Sequence, residues 1–139
     1  MTLNISPLKK AINSLEKSIN VITVKLNADS TSADEIEVLK AGVIQAFEFS
    51  YELCWKFMKR WLEINVSSEA VDGVARIELF RQSAEVHLIT DVEKWMSFHK
   101  ARNRTSHIYD ENVAEEVFLC STEFLLYAKD FLKRMEAKI

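Results

Sequence analysis

The sequence predicts an all-α protein, an antiparallel up-and-down bundle of four long helices and one short helix. The 139 residues include only 2 glycines and 1 proline, against roughly 12% Gly plus Pro in an average chain. Folds with many strands need a turn about every 8 to 12 residues, so sandwiches and barrels are excluded. Apolar residues instead recur at spacings of three and four, the period of an amphipathic helix. The length predicts a single domain over residues 1–139.

The first helix is predicted from Pro7 to Leu26. Ser6 followed by Pro7 is typical of a cap and a first helical position. The apolar stripe of this helix follows at spacings of three and four: Leu8, Ile12, Leu15, Ile19, Ile22 and Leu26. Residues 27–31 are predicted to form a loop.

The second helix is predicted to open at a capping box, Ser32 with Glu35, and to end near Ile64. From Phe47 onward its apolar residues surround most of the helix. Such a helix must be covered on more than one side. It is therefore either central in the bundle or part of a subunit interface.

The remaining helices are shorter, except for the last. Residues 65–73 are predicted as a polar connection, and a short helix follows from Val74 to His87. Thr90 and Asp91 are candidate caps of a fourth helix. The last helix is predicted from Val113 to Ala137, with an inward stripe of Val117, Cys120, Phe124, Tyr127, Phe131 and Met135.

Composition excludes several classes of protein. Both common Gly-rich phosphate loops need at least two closely spaced glycines, and Gly42 and Gly73 lie far apart. No apolar run reaches the roughly 18 residues of a membrane span, and the N-terminus shows no signal-peptide pattern. Cys54 and Cys120 are expected to be reduced core thiols of a cytoplasmic protein. The chain has no Glu-x-x-His pair of a di-iron bundle and no Cys pair at zinc spacing.

Charge is unevenly distributed. Residues 94–109 (KWMSFHKARNRTSHIY) carry four Lys or Arg and two His with no acid, whereas the rest of the chain has 14 basic and 21 acidic residues. This basic island contains Lys94, Lys100, Arg102 and Arg104.

The stripe of the fourth helix changes character within this island. It runs Val92, Trp95, His99, Arg102, Ser106 and Tyr109, so its first half is apolar and its second half is polar. Such a break tends to mark a functional site. Because burying an unpaired Arg is costly, the stripe is expected to meet a carboxylate, a polar cavity or a phosphate.

The residue types at the polar end suit phosphate chemistry. Arg102 offers a permanently charged fork for phosphate oxygens, and His107 supplies an imidazole, the side chain best suited to proton transfer. If the helix continued, Tyr109 would share the face of Arg102, and Asn103 and His107 would share the neighbouring face. The patch is then broad enough to be completed by a second subunit.

A purely structural interpretation stands beside the catalytic one. Arg102 pairs in that case with an acid such as Glu48 or Glu52, Tyr109 is a core tyrosine, and His87 and His99 are half-buried structural residues. The absence of acidic residues within the island disfavours this interpretation.

Two segments carry a family resemblance. RNRTSHIY, from Arg102 to Tyr109, resembles the Arg-polar-x-x-x-His-x-Tyr motif of HEPN domains, in the bacterial branch of nucleotidyltransferase substrate-binding proteins. QAFEFSYELCWKFMK, residues 45–59, is similar to the second-helix signature of that branch. The resemblance extends over nearly the whole chain.

The resemblance implies a homodimeric toxin of a toxin-antitoxin pair, a metal-independent endoribonuclease without a cofactor. Arg102 and His107 would be catalytic, Asn103 would support them, and Glu48 and Glu52 would orient Arg102 or only solvate the second helix. Lys100 and Arg104 are the candidate RNA-binding residues. A partner minimal nucleotidyltransferase, the antitoxin, would neutralise the toxin by transferring AMP onto Tyr109. The alternative function is a non-catalytic substrate-binding subunit of a two-component nucleotidyltransferase.

Overall fold

The computed structural model describes residues 3–139, which form six α-helices, one 3-10 turn and no strand. The elements are α1 Ser6–Leu26, α2 Ala33–Asn65, α3 Ser68–Val71, α4 Arg76–Glu85, α5 Val92–Asn103, the 3-10 turn Thr105–His107, and α6 Glu111–Lys138. The all-helical prediction is confirmed. The prediction of four long helices was wrong, because α5 has only 12 residues and the segment predicted as a polar connection contains the one-turn helix α3.

Local capping explains where the helices begin. Ser32 accepts a hydrogen bond from the backbone N–H of Glu35 at 3.2 Å, as the capping box predicts. Asp91 caps α5 by accepting from the N–H of Lys94 at 3.1 Å. The cap predicted at Ser6 was wrong: Ser6 is already helical and donates its N–H to Asn4 Oδ1 at 3.1 Å.

The long helix α2 is central, packed against the other five α-helices. Its fully buried side chains include Phe47, Tyr51, Cys54 and Met58. The central position accounts for the apolar residues all round this helix. Phe49 is an exception and is 61% exposed.

A cluster of aromatic rings fixes α5 against α2 and α6. The ring of Phe124 on α6 is fully buried and meets Phe47, Trp95 and Phe98 edge-on, at centroid distances of 5.2, 5.6 and 5.1 Å. Each such pair contributes about 0.5–1.5 kcal/mol beyond its buried area. The apolar first half of α5 is thereby anchored, and its last turn is held over the middle of α2.

The two cysteines are free thiols. Burial raises the pKa of the Cys54 thiol, and it raises the pKa of Cys120 to about 11. No helix within residues 3–139 has the length and apolarity that a membrane crossing needs.

Candidate active site

The candidate residues lie where α5 ends and the chain turns toward α6. Thr105 is buried, and its hydroxyl donates to the carbonyl of Arg102 at 2.8 Å. Backbone bonds of three-residue spacing follow, from Arg104 N–H to Ala101 O and from His107 N–H to Arg104 O. A Thr side chain that satisfies a helix-end carbonyl competes with continuation of the helix. The helix therefore stops at Asn103.

This helix end corrects the predicted helical stripe. Ser106 lies in the 3-10 turn and Tyr109 in the segment after it, so neither extends the face of Arg102. Asn103 and His107 also do not share a continued helix face. Tyr109 is 83% exposed, which overturns the interpretation as a core tyrosine.

His107 and Tyr109 lie side by side at the surface. The hydroxyl of Tyr109 is 3.5 Å from His107 Nδ1, and the two rings meet edge-on with centroids 6.0 Å apart. Both side chains are exposed. A group attached to the Tyr109 hydroxyl would therefore lie against the imidazole of His107.

Arg102 contacts two carboxylates of α2. Its Nε is 3.2 Å from Glu52 Oε1, and its Nη1 is 3.6 Å from Glu48 Oε2. Nη1 also donates to the hydroxyl of Thr105 at 3.2 Å. The expected contact of the stripe with a carboxylate is confirmed, with the two acids that the structural interpretation named. These residues are four apart on α2 and share a face, and that face meets α5.

These ion pairs do not immobilise the guanidinium. Nε of Arg102 is buried and makes no hydrogen bond. Glu52 Oε1 lies 3.2 Å away, within hydrogen-bonding distance, but not in the direction of the N–H bond. The side chain is 33% exposed. Solvated pairs of this kind are typically worth less than about 1 kcal/mol, so a phosphate can compete with Glu48 for the N–H groups of Nη1.

The other predicted residues have different surroundings. Asn103 is exposed, and its Nδ2 lies 3.5 Å from His99 Nε2, so its contact is with His99 and not with His107. Lys100 is exposed, whereas Arg104 forms an ion pair with Glu116 of α6. The basic island is thus partly neutralised by acids from other helices.

Three residues outside the predicted set of site residues lie directly behind the site. The hydroxyl of the fully buried Tyr51 forms a 2.8 Å hydrogen bond with His99 Nδ1 and accepts a 3.4 Å hydrogen bond from Arg76 Nη1. Burial, with the charges of Arg76 and Arg102, lowers the pKa of His99 although Glu52 opposes the shift. Burial raises the pKa of Tyr51 well above its usual range. Of these three residues, only His99 could have been predicted from the sequence, because it lies in the α5 stripe one turn before Arg102.

Two grooves flank the helix end. The groove beside Arg102 has a volume of about 370 Å³ and is lined by Gln45, Glu48, Phe49, Glu52, Leu53 and Lys56. The groove beside Tyr109 is larger, about 860 Å³, and lies between the first half of α2 and the start of α6. Within residues 3–139, no cluster of three or more His, Cys, Asp or Glu has the arrangement of a metal site.

The two side chains of the site best suited to act on a phosphoryl group are an arginine and an exposed histidine. Arg102 can neutralise charge on a phosphoryl group, and the imidazole of His107 can accept or donate a proton.

Comparison with known proteins identifies a matching family and a similar protein. Residues 3–137 match the family model described as "Nucleotidyltransferase substrate binding protein like". The chain is 31% identical over 137 residues to a Haemophilus influenzae protein named "Probable ribonuclease HepT", covering 98% of this chain and 94% of that protein.

Solved structures agree on the fold. A Haemophilus influenzae structure, described as revealing the fold of a substrate binding domain of a nucleotidyltransferase, superposes with a TM-score of 0.90 at 31% identity. The match covers 96% of this chain and 99% of that one. A Thermus thermophilus protein, 23% identical, has a TM-score of 0.63 over 87% of this chain and 98% of its own, and shows the fold alone.

Proposed function

The chain belongs to the nucleotidyltransferase substrate binding protein-like family, and from that membership we propose that it is a HEPN-type endoribonuclease controlled by a partner nucleotidyltransferase. The name of the 31% identical relative supports a ribonuclease. The description of the superposing structure supports a nucleotidyltransferase partner. The observation that carries the proposal is the 3.5 Å approach of the Tyr109 hydroxyl to His107 Nδ1, because it joins a candidate catalytic base to a candidate modification site.

In the proposed reaction, His107 takes the proton of an RNA 2′-hydroxyl and the 2′-oxygen attacks the adjacent phosphorus. The bond from phosphorus to the 5′-oxygen breaks, and that oxygen receives a proton from the His107 of a second copy. The products are a 2′,3′-cyclic phosphate and a 5′-hydroxyl. Arg102 keeps Nε beside Glu52 and turns Nη1 away from Glu48 to stabilise the negative charge on the phosphoryl oxygens. Asn103 supports the pair, and Lys100 and Arg104 bind the flanking RNA backbone.

A homodimer would pair an arginine and a histidine that point in different directions in one copy. Arg102 points its guanidinium toward α2, whereas His107 projects from the exposed 3-10 turn. Two copies meeting at this end of α5 would bring the Arg102 of one beside the His107 of the other.

Adenylylation of Tyr109 would switch the enzyme off. The Tyr109 oxygen attacks the α-phosphorus of ATP held by the partner, pyrophosphate leaves, and the phenol proton passes to a base of the partner. The product carries a bulky phosphodiester with one negative charge. Placed against His107, it blocks RNA sterically and by charge repulsion.

The ribonuclease test uses purified protein and RNA with EDTA present. Wild type is expected to cleave and leave cyclic phosphate ends, and His107→Ala should lose at least about a hundredfold in rate. His87→Asn is the matched control, since it removes another exposed imidazole and Asn tolerates the positive φ of 64° at that position. Equal cleavage by wild type and His107→Ala would refute the catalytic assignment.

The second candidate function is a non-catalytic substrate-binding subunit of a two-component nucleotidyltransferase. The 83% exposure of Tyr109 beside the 860 Å³ groove favours it. Partner nucleotidyltransferase and ATP should add AMP to wild type and to Tyr127→Phe but not to Tyr109→Phe, as seen by mass spectrometry. AMP addition without any RNA cleavage would select this second function.

A further inference from the structure

Arg76, the first residue of α4, touches two residues on one face of α2. Its Nη1 donates to the Tyr51 hydroxyl at 3.4 Å, and its Cζ lies 3.6 Å from the centre of the Trp55 ring. Tyr51 and Trp55 are four residues apart and so share that face. From these two contacts, two chains of interactions run to the candidate site.

The first chain reaches Asn103. Tyr51 hydrogen-bonds to His99 Nδ1 at 2.8 Å, and His99 Nε2 lies 3.5 Å from Asn103 Nδ2. A neutral His99 with its proton on Nδ1 gives each of these three contacts one donor and one acceptor: the Tyr51 oxygen accepts from His99 and Arg76, and Nε2 accepts from Asn103. The lowered pKa of His99 favours this neutral form.

The second chain reaches Arg102. The indole N–H of Trp55 donates to Glu52 Oε2 at 3.0 Å. The other oxygen of that carboxylate, Oε1, is 3.2 Å from Arg102 Nε. Stacking of Arg76 on Trp55 thus fixes the indole that orients Glu52.

We propose that Arg76 is a positioning residue of the candidate active site, acting on Asn103 through Tyr51 and His99 and on Arg102 through Trp55 and Glu52. This inference rests on the proposed ribonuclease function. Arg76 does not touch the site itself. A planar guanidinium is required, because it stacks on the indole while one N–H reaches the phenol oxygen, and an ammonium group cannot do both.

The test compares Arg76→Met and Arg76→Lys with Arg81→Met. Arg81 lies on the same helix, is exposed, and forms a 3.9 Å ion pair with Glu78, so its replacement removes one positive charge without entering the network. We expect Arg76→Met to lower kcat for RNA cleavage about tenfold, since small misplacements of catalytic groups are costly. The KM should stay within about twofold, because Arg76 makes no contact with the candidate RNA-binding residues. Arg81→Met should leave both parameters within about twofold.

A second readout does not depend on activity. Nitrogen NMR of His99 reports which ring nitrogen carries the proton, and hydrogen exchange reports the mobility of Arg102 Nε–H. Both should change in Arg76→Met and remain as in wild type in Arg81→Met. Arg76→Lys retains the charge and should still lower kcat at least about threefold; it also carries the test if Arg76→Met fails to fold.

The outcomes separate this inference from the function on which it rests. A wild type that cleaves no RNA defeats the ribonuclease proposal, and the NMR comparison then decides the role of Arg76. Unchanged His99 nitrogens and unchanged Arg102 exchange in the Arg76 variants would overturn the inference. So would an Arg76→Lys variant with the kcat of wild type, because charge alone would then suffice.

Discussion

Replacing Tyr51 by Phe removes one buried oxygen and leaves the aromatic packing in place. The ring of Tyr51 is fully buried, with Phe47 and Phe124 at centroid distances of 6.2 Å each, so Phe fills the same space. The hydroxyl, however, forms a 2.8 Å hydrogen bond with His99 Nδ1 and accepts a 3.4 Å hydrogen bond from Arg76 Nη1. The variant therefore isolates the polar contribution of the network.

The magnitude follows from what each partner loses. A net hydrogen bond is worth about 1 kcal/mol, and a buried polar atom left without a partner costs about 1–3 kcal/mol. The half-exposed Arg76 can turn to water and keep its stacking on Trp55, so the main loss falls on His99. We expect Tyr51→Phe to lower the unfolding free energy by about 2 kcal/mol, or to lower Tm by roughly 6 °C in a chain of this size.

Urea denaturation followed by circular dichroism measures this difference directly. Tyr127→Phe makes the same chemical change on α6, where the half-buried ring packs on Phe98 with centroids 5.2 Å apart, and should cost less than about 0.5 kcal/mol. If Tyr51→Phe were no less stable than Tyr127→Phe, the hydrogen bond to His99 would carry no stability and our account of the network would fail.

Three further stability predictions follow from local geometry. In the folded protein the pKa of His99 is below its ordinary 6.5. As the pH falls from 6.5, the unfolded chain therefore takes up a proton before the folded one, and the unfolding free energy declines. His99→Gln should lose less stability than wild type between about pH 7 and pH 5, and equal losses in urea titrations would contradict this. Gly73→Ala should cost about 1 kcal/mol, because φ is +67° there although a Cβ meets open space; Gly73→Asn should recover part of that loss in the same titration. Ser32→Ala should cost about 1 kcal/mol through the lost cap on α2, and a thermal melt matching wild type would show that the cap is dispensable.

Much of the fold followed from local patterns. The Ser32 capping box and the apolar periodicities placed α1, α2 and α6 to within a few residues, because caps and stripes act over one or two turns. The end of α5 could not be predicted in this way, because the stripe through Ser106 and Tyr109 has the spacing of a helix. The helix ends at Asn103 because the buried Thr105 hydroxyl donates to the Arg102 carbonyl.

By itself, the sequence determined the helical class and the extent of α1, α2 and α6, because residue type and spacing are sufficient for these. It also predicted which residues would carry phosphate chemistry. Only the tertiary structure decided which groups surround them. From the sequence, Glu48 and Glu52 were only candidate partners of Arg102, and Arg76 reaches Asn103 only through Tyr51 and His99. Contacts between helices depend on which faces pack together, and packing of the aromatic core around Phe124 fixes those faces.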